Sequence, residues 1–174
     1  KGNQILLDEI KNRNSVCLHM RRGDFLSDQR FNICTDSYYK EAIKSICQNV
    51  ENPIFYVFSN THEDIEAIKD HCDYLSQYEV RFVDQNNPDY EDLRLMSACK
   101  HFILSNSTYS WWAQFLSGNV DRIVGSPSVW NTDAGIYDAA SINEEGWIVL
   151  EPNWQDKKWV WLLACTTKFV EKSN

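Results

Sequence analysis

The stretch that decides the fold is Ile54-Phe-Tyr-Val-Phe58, followed by Thr61-His-Glu-Asp64. Its first five residues form a short uninterrupted apolar run, which is typical of a strand buried on both faces of a sheet. Thr61 with an acidic residue three positions later resembles a helix start, because a threonine hydroxyl can accept a hydrogen bond from a free backbone N–H group. The stretch therefore predicts a buried strand that leads directly into a helix.

Upstream of this stretch the same alternation of strand and helix is present. Ser15-Val-Cys-Leu-His19 predicts the first strand, and a helix capped by Thr35 or Asp36 follows it. The apolar residues of that helix recur with a period of 3.6 residues, and they are Tyr39, Ala42, Ile43, Ile46 and Cys47.

Downstream, the alternation continues to about residue 125. The predicted strands cover residues 79–83, 101–105 and 122–125, and the helices between them cover residues 89–100 and a segment ending near residue 118. Strands joined by single helices predict right-handed crossovers. The sequence thus predicts an α/β domain with a parallel sheet and helices on both faces.

Length and composition indicate one soluble globular domain without a nucleic-acid partner. The 174 residues are 43% hydrophobic, which is enough for one buried core. The formal net charge of -8 argues against binding to a phosphate backbone, which proteins grip with surplus Lys and Arg. No apolar run approaches the roughly 20 residues needed to cross a bilayer, and Lys1–Ile10 has no secretory-signal pattern.

The cysteines and the tryptophans raise separate expectations. Most of the six cysteines fall at apolar positions of predicted elements and none forms a C-x-x-C pair, so we expect reduced core thiols; they are Cys17, Cys34, Cys47, Cys72, Cys99 and Cys165. After Pro127 the alternation gives way to an irregular stretch. A tail rich in tryptophan then follows, for which we predict no element, and its tryptophans are Trp147, Trp154, Trp159 and Trp161.

Ligands of open parallel sheets bind outside the carboxyl ends of the strands, where the loops converge and helices begin with unpaired N–H groups. In this sequence that rim comprises residues 19–25, 59–60, 84–88, 105–110 and 126–130. Nearly all of the unusual polar residues fall in these five segments. The sequence therefore predicts the binding site at this edge of the sheet.

The first rim segment, His19-Met-Arg-Arg-Gly-Asp-Phe25, places two arginines directly after a buried strand. The planar guanidinium group suits phosphate oxygens because it donates two parallel hydrogen bonds while remaining charged, and Asp24 can hold one such group in place. A purely structural Arg–Asp pair at the strand end is the alternative.

The fourth rim segment, Ser105-Asn-Ser-Thr-Tyr-Ser110, runs from a strand end into a helix start. Its hydroxyls, its free N–H groups and the helix dipole suit a phosphate, and with Arg21 or Arg22 they would offset a diphosphate without a divalent ion. As alternatives, Ser107 or Thr108 caps the helix, and residues 106–108 form an N-glycosylation sequon by chance.

A third candidate, Asp84, ends the predicted third strand, where its carboxylate can accept two hydrogen bonds from guanine. Ordinary turn chemistry explains an aspartate there equally well. The sequence has no D-x-D pair, no H-E-x-x-H motif and no clustered Cys/His ligands, so we expect no metal site. It also lacks G-x-G-x-x-G and P-loop motifs, which argues against a dinucleotide oxidoreductase and a P-loop ATPase.

Two of these segments together resemble a known family. His19-Met-Arg-Arg-Gly-Asp24 resembles an H-x-R-R-x-D signature, and Ala98-Cys-Lys-His-Phe-Ile-Leu-Ser-Asn-Ser-Thr-Tyr-Ser-Trp-Trp-Ala113 resembles a second block of the α-1,2-fucosyltransferases of glycosyltransferase family 11. The α-1,6- and protein-O-fucosyltransferases are similar at a greater distance. The resemblance implies a GT-B architecture of two facing Rossmann-like domains. It covers essentially all of this chain but only the C-terminal, donor-binding half of the family's protein, so the resemblance implies that residues 1–174 are a single GDP-fucose-binding domain and that the acceptor domain is not in this chain.

The resemblance also implies a reaction and roles for single residues. The reaction is metal-independent, inverting transfer of L-fucose from GDP-β-L-fucose to a galactose-terminated glycan, without a cofactor. Arg22 would hold the β-phosphate of GDP, His19 and Arg21 would support that pocket, Asp24 would orient the arginines, and Asp84 would meet guanine. The diphosphate and ribose would be bound by Asn106, Ser107, Thr108 and Ser110. The resemblance assigns no catalytic base; His19, Asp24, the phosphate itself or a group in the other half are the candidates.

Two other functions stay open at this point. The domain can be a non-catalytic nucleotide-sugar or glycan module whose tryptophans stack on sugar rings, although at least one of Trp111 and Trp112 is expected to be buried in the core. It can also be a GT-B transferase with another nucleotide-sugar donor, since a fold does not determine the donor. A bacterial protein, cytoplasmic or peripheral to the membrane, is expected, with the Golgi lumen as the alternative.

Overall fold

The computed structural model describes residues 2–83, 86–132 and 142–152. The strands in these parts are β1 (Ser15–His19), β2 (Ile54–Phe58), β3 (Glu79–Phe82), β4 (His101–Ile103), β5 (Val124–Pro127) and β6 (Ile148–Leu150). The helices are α1 (Gly2–Asn12), α2 (Asp24–Ser27), α3 (Asp36–Asn49), α4 (His62–His71), α5 (Asp89–Ser97) and α6 (Thr108–Phe115), and a short 3-10 helix covers Asp73–Gln77.

The strands form one parallel sheet in the order β3-β2-β1-β4-β5-β6. Strand β1 is central, since Val16 pairs with Phe55 of β2 on one side and with His101 of β4 on the other. This is the strand order of Rossmann folds, in which the chain winds outward from β1 first to one side and then to the other. The predicted α/β fold with a parallel sheet is confirmed.

Each face of the sheet has its own hydrophobic core. Val16 and Leu18 of β1 lie in a core with residues of α3 and α4, such as Ile43 and Ile65. Cys17 points to the other face, where α1, α5 and α6 cover the sheet. Because successive residues of a strand point to opposite faces, an all-apolar strand needs helices on both sides. The predicted helices on both faces are therefore confirmed.

The helix starts follow from local hydrogen bonding. Thr61 accepts a hydrogen bond from the backbone N–H of Asp64 at 3.2 Å, which caps α4 as its sequence predicts. Thr35 is the N-cap residue of α3 by position, without a side-chain hydrogen bond to the helix.

Among the described residues no helix is long and apolar enough to span a membrane.

Some predicted boundaries are wrong. Strand β5 begins at Val124 and not at residue 122, because the Arg122 side chain donates to Gln114 Oε1 at 3.0 Å and to the Asn119 carbonyl at 3.3 Å and so belongs to the turn after α6. Strand β4 ends at Ile103, before the predicted residue 105. The third predicted helix is also shorter, since α5 ends at Ser97.

A sixth strand and two local features were not predicted. β6 pairs with residues 125–127 of β5 and is the outermost strand on that side in the described part of the sheet. α2 is a single helical turn in the segment after β1. Cys47 is exposed, contrary to its predicted place on the apolar face of α3, because it lies at the margin of the stripe that Ile43 and Ile46 occupy.

The described cysteines are all free thiols, in agreement with the prediction that they are reduced. Cys17, Cys72 and Cys99 are buried, and Cys34 is half-buried. Trp147 packs partly buried against the core on the α1 side. The remaining cysteine and the other tail tryptophans, Cys165, Trp154, Trp159 and Trp161, lie outside the described residues.

Candidate functional site

A crevice opens where the winding of the sheet changes direction, between the carboxyl ends of β1 and β4. A cavity of about 390 Å³ lies there. It is lined by Arg21 and Phe25 from the segment after β1, by residues 106–109 after β4, and by Trp130 after β5. Two of the predicted rim segments therefore meet at one cavity, and a third contributes Trp130.

His19 joins the two strand ends beneath this cavity. Its side chain is 2% exposed, and its Nδ1 shares a hydrogen bond of 2.8 Å with Ser105 Oγ. Burial, and to a lesser degree the charge of Arg21, lowers the pKa of His19 to about 3. The imidazole is therefore neutral at physiological pH and a weak base. Its hydrogen bond to Ser105 links the segment after β4 to the end of β1.

The guanidinium group of Arg21 lies at the cavity and is oriented by neighbouring side chains. Its Nη2 donates to Asp24 Oδ1 at 2.9 Å, and its Cζ lies 4.8 Å from the centre of the Phe25 ring. With the Asn60 amide turned so that each donor meets an acceptor, the Asn60 oxygen lies 2.9 Å from Nη1 and 3.1 Å from Nε. The side chain keeps 28% of its surface exposed, so the guanidinium is oriented but still accessible.

Arg22 points away from that cavity lining into a different cluster. Its Nη2 lies 3.7 Å from Asp36 Oδ1 and 3.8 Å from Cys72 Sγ, and 18% of the side chain is exposed. Burial alone lowers the pKa of Arg22, but the neighbouring Tyr39, Cys72 and Asp36 outweigh it and raise that pKa. Arg22 is therefore a charged residue held by the protein itself, between α3 and the end of α4.

The carboxylates that pair with the two arginines also differ in their exposure to solvent. Asp24, which was predicted to orient both arginines, contacts Arg21 and is 69% exposed. The carboxylate beside Arg22 is that of Asp36, which sequence reasoning treated only as a helix cap and missed as a partner. Its position in the first turn of α3, the first long helix after the two arginines that follow β1, is the signal that was available.

The turn from β4 into α6 is shaped by its own side chains. Ser107 is the N-cap of α6 and accepts a hydrogen bond from the backbone N–H of Tyr109 at 3.3 Å. Ser110 is buried and donates to the Ser107 carbonyl at 3.0 Å. Thr108, in contrast, is exposed and lines the cavity together with Ser107. Ser107 and Thr108 therefore offer hydroxyls at a helix N-terminus.

Asn106 ties the cavity walls together. Its Nδ2 donates to the carbonyls of Phe31 at 2.9 Å and of Trp130 at 3.0 Å, and its Oδ1 accepts from Cys34 Sγ at 3.4 Å. These contacts join the segments after β1, β4 and β5. Asn106 lines the cavity, and its predicted contact with a diphosphate stays a prediction, as do the predicted roles of Ser107, Thr108 and Ser110.

Asp84, predicted to meet guanine, lies outside the described residues. The chain leading to it is placed, because the Val83 N–H donates to the Val57 carbonyl at 3.0 Å and extends the pairing of β3 with β2. The predicted contact of Asp84 with guanine therefore stays a prediction.

The aromatic residues near the cavity fall into two groups. Phe25 and Phe31 stack with ring centres 5.1 Å apart, and Trp130 is 5% exposed, so these rings form apolar walls. Farther along α6, Trp111 is half-buried and donates from Nε1 to the Ile142 carbonyl at 3.1 Å, while Trp112 is 50% exposed. The expectation that at least one of these two tryptophans is buried in the core is wrong, because α6 turns this side away from the sheet.

The arrangement can bind an anion. An oriented guanidinium lines the same cavity as the first turn of a helix, where unpaired N–H groups and the helix dipole favour negative charge. Apolar rings beside it lower the local polarity, which strengthens such contacts. The geometry thus suits a ligand with a phosphate group and an adjoining ring.

Comparison with known proteins identifies relatives. The sequence profile described as glycosyl transferase family 11 matches residues 2–151. An alpha-1,2-colitosyltransferase of Escherichia coli is 34% identical over 129 residues, which are 72% of this chain and 44% of that protein. The O-antigen biosynthesis glycosyltransferase WbnK of Escherichia coli is 33% identical over 69% of this chain and 40% of its own length. The human galactoside alpha-(1,2)-fucosyltransferase 1 is 32% identical over 61% of this chain and 30% of its own length.

Among solved structures, the ADP-heptose lps heptosyltransferase II of E. coli superposes with a TM-score of 0.48 at 14% identity, over 72% of this chain and 36% of that one. The chain spans less than half the length of the curated relatives described above. The profile match covers most of its residues, including both rim segments that build the cavity. On that match and these identities, the chain belongs to glycosyl transferase family 11.

Proposed function

We propose that this chain is the donor-binding part of a metal-independent, inverting α-1,2-fucosyltransferase of GT-B architecture that uses GDP-fucose. Family membership makes it part of a glycosyltransferase, which needs a nucleotide-sugar donor and a glycan acceptor. Relatives named for α-1,2 transfer of fucose or colitose support the linkage. The acceptor is a galactose-terminated glycan, received by a second domain that faces this crevice.

The observation that carries the proposal is that Arg21 and the N-terminus of α6 line one cavity. A diphosphate carries charge that a guanidinium and a helix N-terminus can offset together. Among the described residues, no group of three or more His, Cys, Asp or Glu is gathered as metal ligands require. Metal independence itself stays a prediction, to be tested with a chelator.

Arg21 is the better placed arginine for the β-phosphate. Sequence reasoning gave that role to Arg22, with Arg21 in support, because the motif alone cannot show where either side chain points. Arg21 lines the cavity, whereas Arg22 lies beside Asp36 and Cys72. We therefore assign the phosphate contact to Arg21 and the support of the β1 end to Arg22.

The chemistry requires stabilisation of the leaving group. As the bond between the fucose carbon and the phosphate oxygen breaks, negative charge grows on the β-phosphate and positive charge on the sugar ring. Arg21, the hydroxyl of Thr108 and the N–H groups that begin α6 are donors held in advance near that charge. Removing one such donor typically costs roughly two to three orders of magnitude in rate.

The acceptor hydroxyl must also lose a proton. His19 is a poor candidate for the base, because its lowered pKa of about 3 and its hydrogen bond to Ser105 leave little basicity. Asp24 is exposed but paired with Arg21. The leaving phosphate or a group of the facing domain is therefore the better acceptor of this proton. We place guanine at Asp84, as its position after β3 predicts.

A second candidate donor is GDP-linked colitose. The colitosyltransferase relative supports it, since its identity to this chain is the same, within two percentage points, as that of the human fucosyltransferase. Both sugars lack the 6-hydroxyl group, so an apolar wall of Phe25, Phe31 and Trp130 would suit either. A non-catalytic glycan module is less well supported, because the cavity collects cationic and polar groups rather than exposed tryptophans.

The test is calorimetric titration of the chain with GDP-fucose, GDP-colitose, GDP-mannose and UDP-galactose, each in EDTA and in magnesium. We expect binding that prefers guanine and a 6-deoxy sugar and is unchanged by EDTA. Binding without a guanine preference, or only with magnesium, contradicts the proposal. Comparison of fucose with colitose decides between the two candidate donors.

A further inference from the structure

The end of β2 is fastened to the residue that precedes Arg21. The Met20 N–H donates to the Phe58 carbonyl at 2.9 Å, and the buried Ser59 hydroxyl donates to the Met20 carbonyl at 2.7 Å. These two hydrogen bonds hold the segments after β1 and β2 side by side. Asn60, the next residue, is therefore presented to Arg21 by a rigid support.

The contact between Asn60 and Arg21 has an unusual geometry. With the Asn60 amide in the turned orientation described above, its oxygen lies 2.9 Å from Nη1, 3.1 Å from Nε and 3.3 Å from Nη2 of the guanidinium group. An atom at nearly equal distance from all three nitrogens sits over the face of the group rather than along one N–H bond. The N–H edges that Asp24 does not occupy are therefore left for a ligand.

The turn at Gly23 makes room for this contact. Gly23 has φ 60° and ψ -125°, and the Phe25 N–H donates to the Arg22 carbonyl at 3.2 Å, which together define a type II′ turn with glycine at its first central position. A Cβ there would approach the end of the Asn60 side chain to 3.2 Å. The Gly23 N–H also donates to Asp64 Oδ1 at 3.3 Å, which ties the turn to α4.

Asn60 acts through Arg21 and not on the ligand directly. It is not among the described residues that line the cavity, whereas Arg21 is. An oxygen over the face attracts the guanidinium group through its partial negative charge, and because the amide is neutral it orients the group without cancelling its charge, unlike a second carboxylate. Asn60 thus has the properties of a positioning residue.

We propose that Asn60 is a positioning residue that holds the guanidinium group of Arg21 over the cavity for the diphosphate of the donor, with Gly23 as the turn residue that admits it. This proposal rests on the proposed function for the identity of the ligand. The placement of the Arg21 side chain by Asn60 does not depend on that identity.

The experiment compares Asn60→Ala, Asn60→Asp and the unaltered chain, each with ¹⁵N-labelled arginine. Relaxation of the Arg21 Nε–Hε pair reports how well the side chain is ordered. We expect the order parameter of this pair to fall below about 0.6 in Asn60→Ala and to remain unchanged in Asn60→Asp, which keeps an acceptor oxygen. The Arg22 Nε–Hε signal should not change in either variant.

Titration with GDP and GMP provides the functional readout. In Asn60→Ala we expect the affinity for GDP to fall about tenfold and the affinity for GMP to fall less, since GMP lacks the β-phosphate. Asn49→Ala is the matched control, because it removes an exposed asparagine whose amide donates only within α3, to the Ser45 carbonyl. Asn60→Ser, too short to reach Arg21, repeats the test should the alanine variant not fold.

The outcomes separate the two proposals. An ordered Arg21 in Asn60→Ala, or an unchanged GDP affinity with a mobile Arg21, overturns the role of Asn60 and leaves the proposed function standing. If the unaltered chain binds neither GDP nor a GDP-sugar, the proposed function fails, and with it the diphosphate as the ligand. The relaxation data then still decide whether Asn60 orders Arg21.

Discussion

Arg21 and Arg22 are neighbours in the sequence, but their side chains lie in two different regions of the molecule. Arg21 reaches the cavity between β1 and β4, and its carboxylate partner, Asp24, is 69% exposed. Arg22 lies in a cluster with Asp36 and Cys72, where the carboxylate is 20% exposed. An exposed ion pair is weak and open to competition by another anion, whereas a desolvated pair is not.

The comparison teaches that one strand end serves two purposes. The charge at the cavity is oriented by groups that leave part of it accessible, so a ligand can complete its contacts. The charge in the cluster is matched by the protein, so its contacts are complete when the chain folds. Loss of Arg21 should therefore affect binding, and loss of Arg22 should affect stability.

The largest effect is expected for Arg22→Met. This substitution keeps most of the side-chain volume but leaves the carboxylate of Asp36 without its cation in a poorly solvated place. Removing one partner of a buried pair typically destabilises a protein by about 3 kcal/mol. Urea unfolding followed by circular dichroism measures it.

The double variant Arg22→Met/Asp36→Leu is the control for this prediction. It removes both charges, and we expect it to recover part of the lost stability, since an apolar pair of similar volume avoids the desolvation cost. If Arg22→Met is as stable as the unaltered chain, Arg22 does not stabilise the fold, and the proposed difference between Arg21 and Arg22 is wrong.

A somewhat smaller effect, on another property, is expected for Arg21→Gln. Hydrogen bonds to a charged group contribute about 1.5–3 kcal/mol, so the affinity for GDP-fucose should fall about 10- to 100-fold, while stability changes by less than about 0.5 kcal/mol. Calorimetric titration and urea unfolding measure the two properties.

Arg13→Gln is the matched control, because Arg13 is also an ion-paired arginine with 46% of its side chain exposed, next to the other end of β1. It should leave the affinity unchanged. A loss of affinity on Arg22→Met that exceeds the loss on Arg21→Gln, in folded protein, would reverse the roles of the two arginines.

The smallest effect is expected at His19, the buried residue that ends β1. Its pKa is about 3 in the folded chain, against an ordinary value near 6.5, so the unfolded chain binds a proton first as the pH falls. His19 therefore lowers stability progressively from about pH 6.5 downward, by about 1–2 kcal/mol at pH 5.

The variant His19→Asn lacks this titration, so its free energy of unfolding should fall less steeply between pH 7 and pH 5. The carboxylates contribute little in this window, because their ordinary pKa values lie below it. Equal slopes for the two proteins would show that His19 is not buried as a neutral group.

Several features of this molecule follow from the sequence, and others do not. Strand β2 is predictable because an uninterrupted apolar run has few other solutions, and β1 because its apolar centre, Val16 to Leu18, has the same character. The start of α4 is predictable because Thr61 caps it with its own hydroxyl. Strand β6 was missed because a strand of three residues is too short to carry a periodic signal. The rim could be placed because parallel strands end together.

The division of roles between Arg21 and Arg22 was beyond sequence reasoning. Consecutive side chains diverge at a turn, and the direction that each takes depends on the type II′ geometry at Gly23. The partners Asp36 and Asn60 come from other segments, so only the packing of the sheet reveals them. Asn60 was within the predicted rim, but an isolated asparagine has no recognisable spacing.

The central position of β1 also has a consequence for how the chain is made. Ser105, two residues after β4, comes 86 positions after His19, so at about 5–20 residues per second roughly 4–17 s pass between synthesis of β1 and synthesis of its second neighbour. During that time one edge of β1 can pair with another nascent chain. We therefore expect slow translation of residues 60–100 to increase aggregation, because it prolongs the exposure of that edge.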